Sequence, residues 1–209
     1  MTKHINFITR VATLAILIAA SSGASAGISL SVTPSTQTIT AGSLTTIDIR
    51  IDGLGAGVAP SLGAYDVDLT FNPAVLSFVS AAFGDGVLGN QLDLFGLGNV
   101  SSLTESSGMV NLFELSLDTA ADINSLQAAE FVLASLRFSG LSGGTSLIGL
   151  SVNVLGDADG AHLAASLSSG SVVVTGATGV PEPATYTLVL AAFALIRTVR
   201  KRGLNQMTT

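Results

Sequence analysis

The chain has 209 residues, with 14 acidic and 8 basic side chains, no cysteine and no tryptophan. Without cysteine it holds neither a disulfide framework nor a Cys–His nucleophile, so any folded region is stabilised by burial alone. Without tryptophan it lacks the commonest sugar-stacking platform.

In chain order, residues 1–10 carry Lys3, His4 and Arg10, residues 11–20 are apolar, and Ala24-Ser25-Ala26 is a small-residue A-x-A site. This is the layout of a secretory signal peptide over 1–26, with Ala24 and Ala26 as cleavage-site residues. Residues 27–176 form the domain, 177–183 a linker with a Pro-Glu-Pro element, and 184–202 an apolar span with a basic stop. Of the eight basic residues, Lys3 and Arg10 lie in the first segment and Arg197, Arg200, Lys201 and Arg202 in the last. Glu182 is the one acid outside the domain. Arg50 and Arg137 are thus left against thirteen acids, a formal charge near −11. Such a surface repels phosphates, which argues against nucleic acid as a partner. It favours divalent cations or basic surfaces, or serves solubility alone.

The stretch of about 150 residues is enough for one core of ordinary size. It reads as strands almost throughout. Ile28, Leu30 and Val32 alternate with polar neighbours, as do Ile47, Ile49 and Ile51, and then Tyr65, Val67, Leu69 and Phe71. Period two with one apolar face predicts strands with one side on a core and the other wet. Further strands are predicted over 76–83, 99–104, 108–117, 131–139, 146–155, 161–167 and 171–175. Clusters such as Asn72-Pro73, Gly84-Asp85-Gly86 and Gly143-Gly144 separate them. One or two helical turns are predicted over 119–128. Nine or ten short strands predict an all-β, two-sheet sandwich.

The run from Gly63 to Phe78, GAYDVDLTFNPAVLSF, resembles the early strands of cohesin domains, as do residues 131–138 and the closing 170–174. The resemblance implies a jelly-roll β-sandwich of about nine strands. It also implies a non-catalytic module that holds a dockerin-like partner through one sheet face. A polysaccharide or another envelope protein is an equally reasonable partner, because the chain has a single such domain.

Three sets of residues are candidates for chemistry. Gly156-Asp157-Ala158-Asp159-Gly160 starts like a calcium loop, with Asp157 and Asp159 as ligands, but no glutamate follows at the required spacing. The same residues also suit a hairpin turn. Asp66/Asp68 and Asp48/Asp52 each share a strand face and are the carboxylates a glycosidase would draw on, although nothing local builds a cleft around them. His162 is the domain's one histidine, and no Gly-x-Ser-x-Gly elbow accompanies it. Hence no catalytic residue and no cofactor are assigned, calcium being the single candidate.

At the far end, Val180-Pro181-Glu182-Pro183-Ala184-Thr185 leads into an uncharged run to Ile196 and then the basic cluster. Pro181 and Pro183 hold Glu182 in a stiff, extended stretch. The run from Ala184 to Ile196 is short of the roughly 20 residues that span a bilayer, and Arg197 can snorkel. This tail closely resembles the PEP-CTERM sorting signal. The resemblance implies a sorting protease of the exosortase type and Pro181, Glu182 and Pro183 as the sorting signal. It further implies a membrane-associated helix over 184–202 and a destination in the cell envelope, at the surface or in an exopolysaccharide matrix. Taken together, the sequence reads as an exported, surface-sorted binding or scaffolding module. A secreted carbohydrate-active enzyme and a purely structural matrix protein are the alternatives.

Overall fold

The computed structural model describes residues 27–176, together with Phe193. Eleven strands and one short helix follow in order: β1 (Ser29–Thr33), β2 (Thr36–Thr40), β3 (Leu44–Asp52), β4 (Leu62–Thr70), β5 (Leu76–Phe83), β6 (Val100–Ser106), β7 (Met109–Leu115), α1 (Ala120–Leu126), β8 (Phe131–Gly140), β9 (Gly144–Asp157), β10 (Ser166–Ser168) and β11 (Gly170–Thr175). They build two sheets, one of order β10-β1-β3-β8-β5 and one of order β2-β11-β9-β4-β7-β6. Most pairs are antiparallel, but β1 with β10 and β2 with β11 are parallel, so both sheets are mixed.

The alternating pattern decides which side each strand buries. Ile47, Ile49 and Ile51 of β3 and Tyr65, Val67 and Leu69 of β4 all face the core and exclude water. Phe138 of β8 lies among them, with Phe71 and Phe78 packed edge-on at centroid distances of 5.1 and 5.8 Å. Helix α1 lies against the start of β4, where the Ser61 hydroxyl donates to Asn124 Oδ1 at 2.7 Å. Thr119 Oγ1 accepts the Asp122 amide at 3.2 Å, and Ile123 is the helix residue that reaches the interior. A threonine at this position satisfies one of the orphan amides of the first turn.

Four expectations are corrected. First, among the described residues no helix is long and apolar enough to cross a membrane. The described residues form an all-β, mixed-sheet sandwich, and they lend no support to the C-terminal membrane-associated helix, membrane attachment or envelope anchoring expected of 184–202. Nor does anything in the sandwich support a sorting protease of the exosortase type as partner. Those residues lie outside the described ones, as do Ala24, Ala26, Pro181, Glu182 and Pro183. Second, the described residues form eleven strands instead of about nine. Third, residues 36–40, for which no strand is expected, form β2: Thr-Gln-Thr-Ile-Thr has a single strongly apolar residue, and a parallel partner in β11 supplies the hydrogen bonds. Fourth, the strand expected over 161–167 reduces to a bridge at His162 and to β10, since the chain leaves β9 and crosses to the other sheet.

Candidate binding face

The outer side of the six-stranded sheet carries a hydrogen-bonded cluster of polar side chains. On β4 the core-facing Tyr65, Val67 and Leu69 leave Asp66 and Asp68 on the other side, near the middle of the sheet. Asn111 of β7 lies directly across from Asp68. Asn153 is the extra residue of a bulge in β9, because Asp66 pairs with Val154 and Val67 with Val152. A bulge re-aims one side chain, and here it brings the amide of Asn153 over β4. Asn111 Nδ2 donates to Asp66 Oδ1 at 2.6 Å and to Asp68 Oδ1 at 2.8 Å. Asn153 Nδ2 donates to Asp66 Oδ1 at 3.1 Å and to Asp68 Oδ2 at 3.0 Å. Two amides thus clamp two carboxylates from opposite sides. Donors to an ionised acceptor make the stronger class of hydrogen bond, so the pair is fixed in place while its remaining lone pairs face solvent.

Apolar side chains surround this centre. Asp66 has the half-buried Phe113 opposite it on β7 and the exposed Val154 on β9. Leu115 and Val100 form an exposed cross-strand pair nearby. At the same end of the sheet a cleft of about 230 Å³ opens among Ala64, Leu115, Ile123, Val154 and Gly156. Gly63 forms its floor, and a Cβ there would stand 2.5 Å from the carbonyl oxygen of Asp157. Gly63→Ala is expected to lower stability by about 1–3 kcal/mol through this overlap, read as a fall in the urea midpoint. Both arginines of the domain lie on the opposite sheet, on β3 and β8, where Arg50 pairs with Glu130 at 2.8 Å. The face around Asp66 and Asp68 is correspondingly acidic.

Beneath the face lies a buried carboxylate. Glu114 of β7 shares the core side with Val110 and Leu112 and is 0% exposed. Tyr65 Oη donates to it at 2.9 Å, and the side-chain amides of Asn90 and Asn99 donate to its other oxygen. Burial pushes the carboxyl of Glu114 above its ordinary value, against the lowering effect of the Asn90 and Tyr65 hydrogen bonds. Burial and the neighbouring Glu114 push the Tyr65 hydroxyl far upward. Asn90 and Asn99 belong to the long connection from β5 to β6, so Glu114 braces that connection near its middle and at its end. Period two marks Glu114 as core-facing, a signal available in the sequence. Asn111 and Asn153 carry no such mark.

The remaining candidates are placed as follows. Asp66 and Asp68 come together as the alternation predicts. Asp48 and Asp52 lie on β3 of the other sheet, where Asp48 accepts the Ser135 hydroxyl at 2.6 Å. His162 is exposed beside the β9 end and has none of these carboxylates as a hydrogen-bond partner. Asp157 Oδ1 accepts the amides of Asp159 and Ala161 at 2.9 and 2.7 Å, so this carboxylate oxygen closes its own turn. Among the described residues no group of three or more His, Cys, Asp or Glu side chains converges in a way that would hold a metal ion.

No family model matches the chain, and no curated protein matches it. Solved structures do. A type I cohesin–dockerin complex from Clostridium thermocellum contains a chain 13% identical, with 72% of this chain and 94% of that one covered and a TM-score of 0.57. The sixth cohesin of scaffoldin B from Acetivibrio cellulolyticus is 18% identical, with coverages of 72% and 100% and a TM-score of 0.55. A non-cellulosomal cohesin from the archaeon Archaeoglobus fulgidus is 14% identical, with coverages of 72% and 92% and a TM-score of 0.53. At these identities the likeness is one of fold, and the fold is that of cohesin domains.

Proposed function

We propose that this chain is a non-catalytic binding module that takes a dockerin-like protein partner on the outer face of β9, β4, β7 and β6. The observation that carries this reading is the Asp66–Asp68 pair held by Asn111 and Asn153 at the centre of an open sheet face. Fixed acceptors cost little ordering on binding, and the surrounding Phe113, Leu115, Val100 and Val154 give the apolar contact that such a centre lacks. The adjoining cleft accepts one apolar anchor, the usual source of interface energy. A partner helix presenting hydroxyl, amide or ammonium donors to the carboxylates, with an apolar residue beside them, fits this surface.

The same geometry disfavours hydrolysis. A glycosidase places its two carboxyl groups on either side of the scissile bond. Asp66 and Asp68 stand side by side on one strand of a sheet face, tied to the same two amides.

Calorimetric titration against a panel of purified dockerin modules tests the proposal. Binding is expected to weaken by about thirtyfold or more, some 2 kcal/mol, in the Asp66→Asn/Asp68→Asn double variant. Raised salt is expected to weaken it too. Binding that ignores both substitutions would remove this face from the reading. Failure of every dockerin, with a soluble exopolysaccharide bound instead, would transfer the function to glycan recognition.

A further inference from the structure

We propose that β6 is a self-pairing edge, through which two copies of the chain join their six-stranded sheets antiparallel about a two-fold axis at Leu103. The proposal concerns the main-chain edge of β6 and does not rest on the partner reading, although β6 also forms the rim of that face.

The sandwich has four edge strands, and three of them are protected. β10 is only three residues long. β5 is interrupted by a bulge between Phe78 and Ser80. β2 is tied to the other sheet, with Gln37 Nε2 donating to the Thr46 carbonyl at 2.7 Å and the Thr45 hydroxyl donating to Gln37. Short length, bulges and covering are the devices by which proteins prevent edge pairing. Among the described residues β6 has none of these three, and its one charge is Glu105. Its seven residues, Val-Ser-Ser-Leu-Thr-Glu-Ser, contain no proline and no lysine, pair with β7 in an unbroken register, and are all exposed.

The hydrogen bonds of β7 fix which groups of β6 are free. The Ser116 amide donates to the Gly63 carbonyl at 2.9 Å, and the Phe71 amide to the Gly108 carbonyl at 2.8 Å. Alternation between these two points turns the main-chain groups of Val110, Leu112 and Glu114 toward β4. Those of Met109, Asn111, Phe113 and Leu115 therefore turn toward β6. Their partners Ser106, Thr104, Ser102 and Val100 are thereby satisfied. The amides and carbonyls of Ser101, Leu103 and Glu105 point to the open edge.

A second copy matches this edge in one best register. With Leu103 opposite its own copy, Ser101 faces Glu105 at both ends, and all three outward residues of each strand find partners. A shift of either sense leaves some of these groups unused. In this register no like charges are directly opposed, Leu103 is covered by Leu103, and Ser102 stands across from Thr104 in the closer, non-hydrogen-bonded kind of pair, which suits hydroxyl contacts. The two domains, each near −11, repel at long range, and salt screens that repulsion. Association is therefore expected to strengthen as ionic strength rises, the reverse of the expectation for the partner face.

The test uses the full chain, which has no native cysteine. Ser102→Cys and Thr104→Cys proteins are made separately, then oxidised alone and as a mixture. The mixture is expected to form a disulfide-linked heterodimer, because Cα atoms about 4.5 Å apart lie within bridging range. Neither protein alone is expected to crosslink with comparable yield. Sedimentation velocity on the unmodified chain should show the mass double with concentration. Leu103→Pro, which removes one outward amide from an edge strand that tolerates it, should lose that doubling with an unchanged circular dichroism spectrum. Equal crosslinking in all three samples, or a single monomeric species up to millimolar protein, would overturn the proposal.

Discussion

Glu114→Ala is expected to lower the unfolding free energy by about 3–5 kcal/mol, measured by urea denaturation. The carboxylate is the acceptor for three donors, Tyr65 Oη and the amides of Asn90 and Asn99, in a place closed to water. Alanine takes the shared acceptor from the half-buried Asn90 and Asn99 amides, leaves Tyr65 Oη only the longer bond to the Leu133 carbonyl, and opens a void; loss of a buried acceptor and of its packing is the costly case. The loss should be uneven. Residues 84–99 hang on Asn90 and Asn99, so amide exchange there should accelerate before exchange in β3 or β8 does.

Glu114→Gln behaves differently. The Gln carbonyl accepts from both asparagines, and its amide donates to Tyr65, whose hydroxyl then serves the Leu133 carbonyl, already 3.3 Å away. Stability should be largely retained, and the difference from the native chain should depend on pH. The folded protein holds the Glu114 proton to a higher pH than the unfolded chain does. The stabilisation linked to that proton is therefore complete below the ordinary carboxylate value of about 4.3 and is lost as pH rises through the elevated folded value. The Gln variant has no such proton to lose, so its stability relative to the native chain should increase over this interval. Asp85 has the opposite sign. Its carboxyl is held below the ordinary range, first by the Leu88 and Val87 amides. Its contribution is present above that range and is lost as pH falls through the lowered value. Unfolding curves of the native chain and the Gln variant between about pH 4 and pH 7 separate the two effects.

Phe138→Ala is expected to cost about 3–5 kcal/mol by the same measurement. The ring is 0% exposed and lies edge-on to Phe71 at 66° and to Phe78 at 70°. Its removal forfeits both aromatic contacts as well as the transfer free energy, and the surrounding β3 and β5 strands are held by sheet hydrogen bonds that prevent collapse into the gap. Phe138→Leu keeps most of the volume and should recover more than half of the loss.

Much of the sandwich was legible because alternation is a local signal. Ile47, Ile49 and Ile51 announce a one-sided strand without reference to anything else in the chain, and Thr119 announces the start of α1. The same logic put Asp66 and Asp68 on one wet face. β2 was not legible, because its stability comes from a parallel partner more than a hundred positions away rather than from its own pattern. The resemblance of the tail to a sorting signal predicted a membrane-associated helix, and the described structure holds no helix fit to cross a membrane.

The sequence alone determined a cysteine-free, strongly acidic, all-β domain whose strands each bury one side. Period two and residue charge are properties of single segments, and a reader needs no neighbours to see them. Only the tertiary structure decided which segments lie side by side. Asn111 is 45 positions from Asp66, and Asn153 is 87 positions from it, yet both amides reach its carboxylate. Such a clamp depends on strand order and on one bulge in β9, and these are set by the packing of the whole sandwich.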